Sequence, residues 1–172
     1  MRRVLVLGLL GLGIVLISGS WAQLLMIGAA PVDLVMLAVV AFAVIDSSQS
    51  PILFAAYTGL LVDIMYSTTV GLGALATTGA CAVVFFAVRR ADHIHLLIVI
   101  AAGAAGYLIK NLILAIYIYA SGMAPVSASV FTTAILPGTG IAAGLIIPAY
   151  WLMTRLMRLR FMRRRRILVD EF

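Results

Sequence analysis

Apolar residues run almost without interruption along this chain, and the polar ones gather at a few breaks. Apolar stretches long enough to predict elements are Val4 to Ala22, Val32 to Ile45, Ile52 to Tyr66, Leu72 to Val88, Ile94 to Tyr119 and Val130 to Thr154. None alternates apolar with polar side chains as a membrane β-strand would. They are apolar all round, which predicts six helices. Pro31, the cluster Ser47, Ser48, Ser50 and Pro51, and the stretch from Gly122 to Pro125 punctuate them. The second and third are short for a hydrocarbon core that takes about 20 residues of helix to cross. They are expected to borrow flanking residues such as Leu24 to Ile27, or to meet a locally thinned bilayer.

Composition narrows the class. With 65 % hydrophobic and 10 % charged residues and a mean hydropathy of +1.20, the 172-residue chain is expected to be a membrane protein, because in soluble domains roughly a quarter of residues are charged. The expected fold is all-α: a polytopic six-transmembrane-helix bundle over residues 1–157, then a basic cytoplasmic tail over 158–172. Cys81, the sole cysteine, excludes an intrachain disulfide and is read as a small packing residue.

Charge sets the orientation, since basic residues hold their loops on the cytoplasmic side. Arg2 and Arg3 precede the first stretch, Arg89 and Arg90 follow the fourth, and a cluster of seven arginines follows the sixth. All fall on one side, so both termini are expected in the cytoplasm. The same start, with small residues at Ser20 and Ala22, also fits a cleavable signal peptide, the alternative reading of that segment. The cluster comprises Arg155, Arg158, Arg160, Arg163, Arg164, Arg165 and Arg166. Concentrated in a tail, it points to anionic lipid headgroups, at about 1 kcal/mol per residue, and not to nucleic acid. A stop-transfer anchor and a protein-docking segment are the two readings of its role.

Against this background Asp63 is the residue that asks for an explanation, because a carboxylate at membrane depth is costly unless satisfied. It lies about 18 Å from Pro51 along a helix, and Lys110 about 24 Å from the start of its own stretch, so both are expected in the outer half of the bundle. Asp33, Asn111 and Gln23 stand at comparable height. The expectation is a polar site in which Lys110, Asn111 and backbone donors hold Asp63 and Asp33 in an outward-facing recess; a plain structural ion pair is the competing reading. Gly59, Asp63 and Tyr66 share a helix face, and Gly59 would let a neighbouring helix approach. Gly59, Gly71, Gly140 and Gly144 are candidates for close helix packing, within the bundle or against a partner. Pro137 and Pro148 are expected to bend the last helix.

Catalytic chemistry finds no footing. The chain has no Walker loop, HExxH, GxSxG or cysteine pair. His93 and His95, two apart, point to different faces and make a poor metal site. Asp46 reads as a loop or cap residue. Neither cofactor nor metal is expected, and the protein is not expected to be an enzyme.

The stretches "PVDL" at 31–34 and "GLLVDIMYSTTVGLGALA" at 59–76 resemble the MreD family of bacterial rod-shape-determining membrane proteins. Pro31, Asp33, Leu34, Gly59, Leu60, Asp63, Gly71, Leu72 and Ala74 carry the resemblance, which covers residues 31 to about 90. The family's basic, glycine-containing turn between the second and third spans is replaced here by "IDSSQSP". The resemblance implies a multi-pass inner-membrane, non-enzymatic component of the cell-elongation machinery, controlling cell shape by binding the single-span protein MreC. Through it, the protein would be linked to MreB, to the glycosyltransferase RodA and to a class B penicillin-binding protein in peptidoglycan synthesis. The family is also similar in architecture to the S-components of energy-coupling-factor vitamin transporters. That gives an alternative function, substrate capture, in which Tyr66, Tyr117, Tyr119, Trp21, Ser127 and Ser129 would surround an outer mouth.

Overall fold

The structure, a computed structural model, describes residues 2–20, 26–27, 30–67, 69–91, 95–122 and 135–157. Among them are six helices: α1 (Arg2–Ser20), α2 (Leu34–Ile45), α3 (Ser50–Tyr66), α4 (Leu72–Arg89), α5 (Leu96–Ala120) and α6 (Leu136–Met157). A two-residue antiparallel ladder, Met26–Ile27 with Ala30–Pro31, lies between α1 and α2. The expected extension of α2 back to Ile27 therefore does not form: Met26 and Ile27 are in the ladder, and Leu24 and Leu25 lie outside the described residues. The predicted start of the sixth stretch, Val130, and the tail 158–172 lie outside them as well.

Three helices, α4, α5 and α6, are long and apolar enough to cross a membrane, while α1, α2 and α3 are shorter apolar helices. Local sequence sets the ends. Asp33 caps α2, its Oδ1 accepting from Met36 N at 2.9 Å, the ordinary N-cap bond to the third helical amide. Pro51 sits in the first turn of α3, where its missing N–H costs nothing. Asp46 closes the far side of α2, accepting from Ser48 N at 2.9 Å.

α2 is the axis of the fold. Nine of its twelve residues are buried, and it packs against each of the other five helices. A helix apolar on every side can be covered on every side without stranding a polar group. Phe42 meets Phe54 of α3 edge-to-face with ring centroids 5.4 Å apart. Around α2 the sequence of contacts runs α1, α3, α4, α5, α6. The outer faces are strongly apolar, with Leu5, Leu9, Leu53, Leu97 and Tyr119 among the most exposed side chains, the inverse of a water-soluble surface.

Helix crossings are closed by missing side chains. A Cβ on Gly103 of α5 would lie 2.7 Å from Cβ of Ile146 on α6, and one on Gly106 would lie 2.6 Å from Val40 Cγ2 of α2. Gly103→Leu is expected to destabilise the fold by about 1–3 kcal/mol or more through overpacking. Thermal unfolding in maltoside micelles, followed by loss of helical ellipticity, checks this.

Candidate functional site

Two polar clusters stand where the sequence placed one. The first is at the junction of α3 and α4. Asp63, one turn before the end of α3, is only 1 % exposed. Its Oδ2 accepts from Gly71 N at 2.9 Å and from Ala74 N at 2.9 Å, and its Oδ1 from the Ser67 hydroxyl at 3.3 Å. Gly71 is the N-cap of α4 and has no side chain with which to cap it. Asp63 does this work across the turn: one oxygen takes both the N-cap amide and the third helical amide, the two donors that a capping box satisfies with two residues. The negative charge also faces the positive end of the α4 dipole.

Three glycines make room for this contact. Gly71 has φ +101°, left-handed backbone that any side chain would strain. A Cβ on Gly73 would stand 2.2 Å from Asp63 Oδ1, and one on Gly59 would stand 2.7 Å from Ala74 Cα. Gly59 thus lets α4 come close to the carboxylate, as its face-sharing with Asp63 anticipated. Gly73 was not singled out from the sequence; its signal was the "GLG" at 71–73, eight residues after an unexplained aspartate.

The second cluster joins α2 to α5. Lys110 Nζ donates to Asp33 Oδ2, and both side chains are largely buried, at 15 % and 20 % exposure. Lys110 lies about 21 Å along α5 from Leu96 at 1.5 Å per residue, so a cation deep in an apolar helix meets its counter-charge at the start of α2. Beside the pair is a cavity of about 10 Å³, lined by Asp33, Tyr107 and Gly138 among others, the size of roughly one water. Gly138 yields to Tyr107, whose Oη would stand 2.3 Å from a Cβ there.

The four residues of the expected polar site are therefore divided. Asp33 and Lys110 come together; Asp63 is held by α4 amides and Ser67 instead of by Lys110. Asn111 donates from Nδ2 to Tyr107 O of its own helix at 2.8 Å. The reason is economy of donors: a helix N-terminus offers Asp63 two unpaired amides a turn away, leaving Lys110 for Asp33. Gly140 and Gly144 take no part in packing, since a Cβ on either would meet no described atom within 4 Å. Arg155 sits in the last turn of α6, its guanidinium 4.7 Å from the Trp151 ring centroid. Arg158, Arg160, Arg163, Arg164, Arg165 and Arg166 lie outside the described residues, as do His93, Trp21, Gln23, Ser127 and Ser129.

Removing the Asp63 carboxylate orphans two part-buried amides. Asp63→Ala is expected to lower stability by about 1–3 kcal/mol, and Asp63→Asn, which keeps an acceptor oxygen, to lose less; thermal unfolding and hydrogen exchange at Gly71 and Ala74 report both. For the ion pair, Lys110→Leu alone leaves Asp33 uncompensated and is expected to cost about 3–5 kcal/mol, whereas Lys110→Leu with Asp33→Asn recovers most of the loss. A double-mutant cycle in the same assay measures that recovery.

No protein-family model matches the chain, and neither curated proteins nor solved structures include a significant match to it.

Proposed function

We propose that the protein is a non-enzymatic, multi-pass component of the bacterial inner membrane that acts by binding other membrane helices, in the manner of the MreD family. In this reading the chain crosses the bilayer six times, the twelve-residue α2 covering only part of its own crossing. Alternating crossings then put the start of α1 and the ends of α4 and α6, with Arg2, Arg3, Arg89, Arg90 and Arg155, at one face, which the positive-inside rule makes cytoplasmic.

The observation that carries the reading is the outward set of α6. Gly140 and Gly144, one turn apart on one face, are exposed and packed against nothing among the described residues. Small residues at that spacing let two helix backbones approach within lipid, where association depends on close packing. The partner proposed is the single transmembrane helix of an MreC-like protein. Through that protein the bundle would be linked to MreB, RodA and a class B penicillin-binding protein, and so to cell shape and peptidoglycan synthesis. Substrate capture of the S-component kind draws less support: the described outer polar cluster encloses only about 10 Å³, far below the several hundred Å³ of a small-molecule site.

Purification in mild detergent from the native membrane, with identification of bound proteins, tests the proposal. A single-span partner and wall-elongation proteins are expected to be recovered. Gly140→Leu and Gly144→Leu are expected to reduce that recovery about five- to tenfold while leaving the melting temperature of the isolated bundle unchanged, because both open into free space. Partner recovery indifferent to both substitutions, or recovery of an ATPase module with a vitamin, would refute it.

A further inference from the structure

Where α2, α5 and α6 meet, one buried hydroxyl has a proton still to be placed. Tyr107 of α5 is only 6 % exposed, and among the described residues no hydrogen bond takes up its O–H. Asn111 approaches the hydroxyl as a donor, through the amide whose Nδ2 also bonds Tyr107 O at 2.8 Å. Buried polar groups left in this condition are few, because each forfeits its bond to water.

The hydroxyl stands at the one place near it with room. It lies against Gly138 of α6, where a Cβ would be 2.3 Å from Oη, and Tyr107, Gly138 and Asp33 all line the cavity of about 10 Å³. That is about the volume one water occupies, and a buried water needs at least about two polar partners. Tyr107 offers a donor. Asp33 offers an acceptor: it takes Met36 N on Oδ1 and Lys110 Nζ on Oδ2, short of the roughly four bonds a carboxylate can accept.

The chemistry of the walls selects a neutral guest. Lys110 already neutralises Asp33, so a second cation would meet like charge, and the other side chains around the cavity, Val32, Leu37, Ile141 and Ala142, bring no ligand atom. A molecule that accepts from Tyr107, donates to Asp33 and is no larger than water satisfies every side.

We infer that this junction is a hydration site, in which one ordered water accepts the Tyr107 proton and donates to the Asp33 carboxylate. The water ties α5 to α2 a second time, beside the ion pair, and does so under the first turns of α6. Gly138 faces this network while Gly140, two residues on, faces outward. The inference stands whatever binds that outer face.

X-ray radiolytic hydroxyl labelling of the full-length protein in maltoside micelles, read by mass spectrometry after rapid mixing into heavy-oxygen water, tests this. Tyr107 is expected to be labelled despite its burial, because radicals form on the bound water, and to acquire heavy oxygen later than the exposed Tyr119. Tyr107→Phe keeps the ring and removes only the hydroxyl, so the sign of its effect separates a wet site from a dry one. Loss of a bridging bond is expected to lower the melting temperature by about 2–4 °C, whereas loss of an unsatisfied hydroxyl would raise it or leave it unchanged. Absence of label at Tyr107, exchange there as prompt as at Tyr119, or a Tyr107→Phe variant at least as stable as the wild type would each overturn the inference.

Discussion

The first amides of a helix have no partner within it, and each one that packing covers costs free energy until something accepts its hydrogen bond. The Asp63 carboxylate meets that demand for α4, taking Gly71 N and Ala74 N on one oxygen. The contact requires α3 and α4 to cross where neither has a side chain in the way, at Gly59 and Gly73. It also requires a left-handed residue at Gly71 to turn the chain. A carboxylate that looked anomalous inside an oily run is therefore what allows the α3/α4 hairpin to be tight.

The same demand shapes α2. It has twelve residues, about 18 Å of helix, too short to reach both edges of a hydrocarbon core. Because five helices surround it, it has no need to. Its shortness places its N-cap, Asp33, at the depth of Lys110 on α5, so one carboxylate both caps α2 and neutralises the lysine. A longer α2 would carry Asp33 away and strand the cation. Length, cap and ion pair are one constraint seen three ways.

Much of this was legible in the residues. Apolar runs bounded by proline and serine marked all six helices, with ends displaced by a few residues, because hydrophobicity reports what is buried and not where a backbone ladder stops. That Asp63 and Asp33 need partners was legible from their cost, and Gly59 from its spacing to Asp63. The assignment of partners was not. Sequence distance along separate helices gives depth but no azimuth, so Lys110 seemed able to serve either carboxylate, and the free amides of α4 carry no letter of their own. Gly73 and Gly138 were passed over for the same reason: a glycine admits a neighbour that only the folded chain identifies. The residues that carry the MreD resemblance, Asp33, Gly59, Asp63 and Gly71 among them, turn out to hold helix ends and crossings. A pattern of this kind speaks first to architecture, and the functional surface must be sought elsewhere.

The glycines show where to look. A glycine inside a helix is less favourable than alanine by about 0.8–1.0 kcal/mol, a cost that close packing can offset. At Gly59, Gly103 and Gly106 it is offset within the chain, since each admits a backbone or side chain that a Cβ would strike. At Gly8 and Gly13 of α1 and at Gly140 and Gly144 of α6 nothing described lies within 4 Å of where a Cβ would be. Four such positions would be tolerated more cheaply as alanine if this chain were the whole of the folded object. They fall on two different sides of the bundle: Gly8 borders a groove between α1 and α3, where its carbonyl accepts from Tyr57 Oη at 3.2 Å, and Gly140 and Gly144 lie on the exposed face of α6.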